Sequence, residues 1–286
     1  MGNGSGNDDR GAGPPDTSGG GMTIPAGMET SFLLIDRKTG VPTVSADEHQ
    51  RYRSASLVKL FIALDYLESR GPEVDIPDED RALLVPMLRS SDDGAASALW
   101  VRGEEQEIVR RMIGRIGLND TAPPEDANMW GYTAISAADI ARTYQYILDG
   151  THPRFRDFLL DHLRRWTKCG SDGFDQSFGV PSGMSEPGAV KQGWSGFETG
   201  APRRVRWSAS RERPPSTRTL VPGKEVRCAP TLDLTRRAMH TSGTAGANDE
   251  KIIVVLTLEP EDMSWEECAS RITGVTRALD QAADDR

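Results

Sequence analysis

The chain has 286 residues, with 34 basic and 43 acidic side chains giving a formal charge of -9, a balance that argues against a general nucleic-acid or anionic-membrane binder. Its length fits one compact α/β domain of about 250 residues plus a tail, so two independent domains are not required. No apolar run approaches the roughly 18 residues of a membrane span and no signal-peptide pattern opens the sequence, which therefore reads as a soluble chain.

Residues 1–22 are Gly, Ser, Asp and Pro with almost nothing apolar, too little to offset the entropy of ordering. They are expected to be a disordered tail or linker, and a candidate tether between an upstream export signal or lipid anchor and a folded domain over 23–286. From Ser31 an apolar run, a Lys38-Thr39-Gly40 turn and a second short run predict a β-hairpin. The stretch from Ser56 to Gly71 carries apolar residues at 57, 58, 60, 61, 62, 64 and 67, too many for a surface stripe, so it predicts a buried central helix with Ser56 at its start.

Helical patterns follow in DRALLVPMLRSSDD, GAASALWVRG, EEQEIVRRMIGRIG and SAADIARTYQYILDG, predicting an all-helical middle. Strands return in AVKQGWSG, RAMHTSG and KIIVVLTLEP, and SWEECASRITGVTRALDQA closes the chain as an amphipathic helix. Strands at both ends around a helical block suit an antiparallel sheet whose first and last strands meet, with helices packed on it. Segment 198–235, crowded with Arg and Pro, is expected to be an irregular insertion, and Arg203, Arg204 and Arg206 read as a solvated basic loop.

Cys169, Cys228 and Cys268 allow at most one disulfide and form no C-x-x-C pair. His49, His152, His162 and His240 lack zinc-site spacing, so no metal and no cofactor is expected. No G-x-S-x-G elbow, G-x-G-x-x-G or G-x-x-x-x-G-K-[ST] occurs, which weakens Ser-His-Asp and nucleotide chemistry.

Ser56-Leu57-Val58-Lys59 is the sole S-x-x-K in the chain. A serine hydroxyl needs a base within hydrogen-bond reach to attack an acyl group, and residues three apart on a helix share a face. Lys59 is thus placed beside Ser56, and desolvation would lower its pKa toward that of a base. Taken alone, the pair reads first as a capping serine with a solvated lysine. Two further elements give it context: Ser91-Asp92-Asp93 between two helical patterns, and Lys191-Gln192-Gly193 opening a predicted strand.

In order and context these three elements resemble the S-x-x-K, S-D-N and K-T-G signatures of class A β-lactamases and penicillin-binding proteins. The resemblance implies an α+β serine hydrolase domain with Ser56 as nucleophile, Lys59 as base or proton shuttle and Ser91 as relay to the leaving nitrogen. It implies Lys191 as the source of positive charge, the amides of Ser56 and Trp194 as the oxyanion hole, and substrate contacts at Asp93, Gly193 and Trp194. The implied substrate is a small molecule or a peptidoglycan peptide, handled by an extracytoplasmic monomer without nucleic acid.

Beyond Gln192 at the centre of the third signature, three features depart from the family pattern. Asp93 replaces an amide, exchanging a donor for an acceptor that is expected to raise the pKa of Lys59. The Ser56–Ser91 connection is shorter than usual, so a reduced cleft wall is expected. Glu125 and Asn128 match the deacylating E-x-x-L-N pattern only partly, and Glu125 reads as a solvated loop acid. A slow hydrolase or transpeptidase, or a binding module without turnover, stays open beside an efficient β-lactamase. Lys38-Thr39-Gly40 spells the third signature literally but sits in the hairpin turn.

Overall fold

The structure, a computed structural model, describes residues 23–197 and 232–284. The predicted hairpin forms from β1 (Glu29–Asp36) and β2 (Val41–Ala46), with Gly40 at a positive φ in its turn. A two-residue strand, β3 (Tyr52–Arg53), leads into a 3-10 turn over Ala55–Val58 and then α1 (Lys59–Arg70). Ser56 therefore lies in a 3-10 turn ahead of the α-helix and not in its first α-helical turn. Gly71 ends α1 at φ +82°, as its position predicts.

The middle contains α2 (Asp78–Arg89), α3 (Asp93–Arg102) and α4 (Gln106–Ile116). It is not all helical: β4 (Ala134–Ile135) pairs antiparallel with β3 and fixes the loop before α5 (Ala137–Gln145) against the base of the nucleophile turn. A π turn over Tyr146–Gly150 extends α5, and α6 (Pro153–Arg164) follows, with Pro153 at its start and His152 as cap. After α7 (Val180–Gly183) the chain returns to the sheet as β5 (Pro187–Ser195), β6 (Arg237–Ala245) and β7 (Lys251–Glu259), and ends in α8 (Trp265–Asp284).

The five-stranded sheet has the order β2-β1-β7-β6-β5, and its neighbouring pairs are antiparallel. The first and last strands meet as predicted, with β1 against β7 in continuous register from Glu29↔Leu258 to Asp36↔Lys251. Side chains alternate between faces along each strand, so the sheet feeds two cores. Leu33, Ile35, Ile252, Val254 and Leu256 pack with α1 and α5 on one face, whereas Phe32, Leu34, Ile253 and Val255 pack with Ile272, Val275 and Leu279 of α8 on the other. α1 is buried from Lys59 to Asp65 and at Leu67, which makes it the central helix its dense apolar pattern predicts. β5 lies at the sheet edge beside the 3-10 turn, and the candidate cleft opens there.

Most of segment 198–235, with Arg203, Arg204, Arg206 and Cys228, lies outside the described residues, as does the 1–22 tail. Cys169 and Cys268 are free thiols. Among the described residues, no His/Cys/Asp/Glu group is arranged to hold a metal, and no helix is long and apolar enough to cross a membrane.

Candidate active site

Ser56, Lys59, Ser91, Asp93 and Lys191 converge at one point. Lys59 is fully buried, with its Nζ 2.8 Å from Ser56 Oγ, 2.7 Å from the Ser91 carbonyl oxygen, 3.2 Å from Ser91 Oγ and 2.6 Å from Asp93 Oδ1. The Lys191 Nζ, equally buried, donates to Ser91 Oγ at 2.9 Å and to the Gln192 carbonyl at 2.9 Å. Ser91 is the junction between the two lysines, and Lys191 meets the cleft through it.

Two backbone positions hold this cluster in sparsely populated conformations. Ala55, next to Ser56, has φ +45°, and Ser91 has φ +55°. Each left-handed non-glycine residue costs about 1–3 kcal/mol, and such strain tends to gather at functional sites. From that backbone Ser91 presents both its carbonyl oxygen and its hydroxyl to Lys59. Asp92 stabilises the next turn by accepting the Ala95 N–H at 2.7 Å, an N-cap that starts α3 with Asp93 as its first residue.

Burial pushes the Lys59 pKa below the ordinary lysine value of 10.5, against the opposing pull of the Asp93 carboxylate. Both expected influences are present: desolvation lowers the pKa and the Asp93 carboxylate raises it, and desolvation is the larger. Lys191 is held well below 10.5 by burial and then by the charge of Lys59. Two amines so close together, and so deprived of water, do not both carry protons readily.

On β5, Lys191 and Gly193 face the nucleophile turn, while Gln192 faces the opposite side. There its amide donates to the carbonyl oxygens of Phe178 and Gln176 and accepts the Thr241 hydroxyl at 2.7 Å. The central residue of K-Q-G is therefore structural in this chain. A β-carbon on Gly193 would lie 3.1 Å from the Ser54 carbonyl oxygen and 3.2 Å from the Ser56 amide nitrogen, so glycine is what lets the strand approach the turn. Trp194 follows, lines the cleft and donates its indole N–H to Asp172 Oδ2 at 2.8 Å.

The cleft holds about 570 Å³, and its lining includes Ser56, Asp93, Trp130, Asp172, Phe174 and Trp194. The Lys59 ammonium position lies 5.0 Å from the Trp130 ring centre, and Trp130 donates its N–H to Ser97 Oγ at 3.1 Å. Glu125 is exposed and does not line this cleft, although Asn128, Met129, Trp130, Gly131 and Tyr132 of the same loop do. No histidine lines it either. His240 sits behind β5, where Nε2–H donates to the Arg53 carbonyl at 2.9 Å and Nδ1 accepts the Thr257 N–H at 3.2 Å.

Sequence reasoning missed Asp172 and Arg53. Asp172 falls in the turn Gly170–Gly173, which carries no signature beyond its glycines. Buried Arg53 donates to Ser195 Oγ at 2.7 Å and to the carbonyl oxygens of Asp233 and Arg236, tying β5 to the start of β6, a role no local pattern announces.

Comparison with solved structures places this architecture. PBP-A aligns with a TM-score of 0.63 over 92% of both chains at 16% identity. The chain has the fold of the β-lactamase and penicillin-binding superfamily. A β-lactamase from Chitinophaga pinensis aligns with a TM-score of 0.62 at 14% identity, covering 89% of this chain and 94% of that one. The class A β-lactamase from Mycobacterium abscessus gives 0.58 at 16%, covering 90% and 94%. Curated relatives from Mycobacterium tuberculosis and Mycobacterium bovis, named "Putative lipoprotein LppW", are 41% identical over 174 residues. That match covers 59% of this chain and about half (54%) of the relatives' length. No family model matches the sequence.

Proposed function

We propose that the protein is a serine acyl hydrolase or acyltransferase that forms an acyl-enzyme at Ser56 with D-alanyl peptides, β-lactams or related amides and esters. The contact that carries this reading is the 2.8 Å separation of Lys59 Nζ and Ser56 Oγ beneath an open cleft. As a neutral amine, Lys59 donates its two N–H bonds to the Ser91 carbonyl and Asp93, leaving its lone pair for the Ser56 proton. Ser56 Oγ then bonds to the substrate carbonyl carbon while its proton passes to Lys59. As the scissile C–N bond breaks, Ser91 gives its hydroxyl proton to the leaving nitrogen and regains one from Lys59. Lys191, bonded to Ser91 Oγ, stabilises the transient alkoxide.

The amides of Ser56 and Trp194, on either side of the Gly193 contact, are the oxyanion donors in this reading. A solved PBP-A variant is described as an acyl-enzyme complex with penicillin G, which supports a β-lactam as a first probe. The LppW name supports an envelope-associated, extracytoplasmic setting; the reading takes the domain to be a monomer that acts on small molecules or peptidoglycan peptides. The exposed position of Glu125 favours a second reading, a penicillin-binding module with very slow turnover. Intact mass spectrometry after incubation with penicillin G and with a D-alanyl thioester is expected to show a single adduct that Ser56→Ala abolishes. An adduct surviving in Ser56→Ala would refute the assignment, and catalytic hydrolysis lost in that variant would exclude the second reading.

A further inference from the structure

Release of an acyl group from Ser56 needs a base for the incoming water. Among the described residues, two carboxylates line the cleft, Asp93 and Asp172. Asp172 Oδ2 accepts the indole N–H of Trp194, and no hydrogen bond joins Asp172 to Ser56 or Lys59. Both are exposed, so water reaches either, but Asp93, whose side chain is 69% exposed, also has its Oδ1 2.6 Å from the Lys59 Nζ that itself reaches Ser56 Oγ. The amide expected at this position would keep the contact with Lys59 but has no carboxylate to receive a proton.

We infer that Asp93 is the general base of deacylation, taking in this chain the role that the exposed Glu125 does not fill; the inference rests on the acyl-serine reading above. The water oxygen bonds to the acyl carbon as its proton passes to the Asp93 carboxylate. Asp93 hands that proton to the Lys59 amine across the 2.6 Å contact, and the resulting ammonium protonates Ser56 Oγ as the C–Oγ bond breaks. One water is consumed, a carboxylic acid leaves, and Ser56, Lys59 and Asp93 return to their starting states. The same carboxylate anchors Lys59 during acylation, so one side chain serves both halves of the cycle.

The test follows the penicillin G adduct by time-resolved intact mass spectrometry in the wild type, Asp93→Asn and Asp93→Ala, with and without added formate. Asp93→Asn preserves an acceptor for Lys59, so a purely positioning role would leave release at the wild-type rate. The expected result is an adduct that forms in Asp93→Asn but persists about 10²-fold longer or more, in line with the loss of a general base. In Asp93→Ala, formate is expected to restore release. Thermal melts check that each variant is folded, and formate rescue provides a readout independent of the Asn variant. Adduct release in Asp93→Asn at the wild-type rate, or a wild-type adduct that never releases, would overturn the inference while leaving acylation of Ser56 standing. No adduct in any of the three proteins would remove the acyl-serine reading and this inference together.

Discussion

On one side of the cleft, side chains from the Ala55–Val58 turn, α1, α3 and β5, together with Ser91 just ahead of α3, close on Ser56 through contacts of 2.6 to 3.2 Å. On the other side, the loop before β4 lines the cleft with Asn128, Met129, Trp130, Gly131 and Tyr132 and leaves its one glutamate, Glu125, exposed. The first wall is strained, with non-glycine residues at φ +45° and +55°. The second supplies shape and aromatic surface. The contrast teaches that the machinery for attacking an acyl group is concentrated on one wall, and that any base for releasing it must be sought there too.

Removing the base of the dense wall should have the largest effect. Lys59→Met is expected to slow adduct formation about 10³-fold, within the usual range for general-base loss, in stopped-flow or quench-flow mass measurements. A variant that acylates within tenfold of wild type would break the asymmetry between the walls.

Behind that wall, burial lowers the pKa of His240 to about 4 from 6.5. The unfolded chain then binds more protons between those values, so the contribution of His240 to stability is complete above pH 6.5 and lost as pH falls to 4. It amounts to about 3 kcal/mol at full extent. His162 is lowered to about 4 as well, by burial and by Arg89. His240→Gln should therefore flatten the pH dependence of urea-unfolding stability in this window. An unchanged slope would show that His240 is not held neutral.

Gly193→Ala tests how closely the edge strand approaches the turn. Its new β-carbon would meet backbone at 3.1 and 3.2 Å, and overpacking of this kind costs about 1–3 kcal/mol. A lower melting temperature with slower acylation is expected; unchanged values of both would mean that the strand yields freely. The smallest effect belongs to the second wall: Glu125→Gln should leave acylation and release within about twofold. A release rate a hundredfold slower would return the loop to the chemistry and contradict the role given to Asp93.

Much of this arrangement was legible in the sequence because alternation and apolar density report burial directly. The hairpin, the buried α1 and the meeting of the first and last strands follow from such patterns. The convergence of Ser91 and Lys191 on the Ser56–Lys59 pair was implied instead by the resemblance of the three signatures to those of class A β-lactamases and penicillin-binding proteins. The outward direction of Gln192 was also implicit in strand alternation once Lys191 faced the cleft. Other features depend on long-range contacts that no window of sequence contains. The β3–β4 pair joins residues about eighty positions apart, and the roles of Arg53 and Asp172 appear only when β5 reaches them. The direction of the Lys59 shift required weighing burial against Asp93, and only the packed structure gives the depth of burial. α6 was missed although Pro153 and a periodic Phe155, Leu159, Leu160 and Leu163 marked it.

The central claim is that Lys59, kept below its ordinary pKa by desolvation, deprotonates Ser56. The most direct measurement is the pH dependence of the rate of adduct formation with penicillin G, in wild type and in Lys191→Arg, whose guanidinium does not titrate in the accessible range. The account predicts that the rate rises with pH along a limb centred below 10.5 and that the limb persists in Lys191→Arg. A rate independent of pH, a limb at or above 10.5, or a limb that vanishes in Lys191→Arg would contradict it.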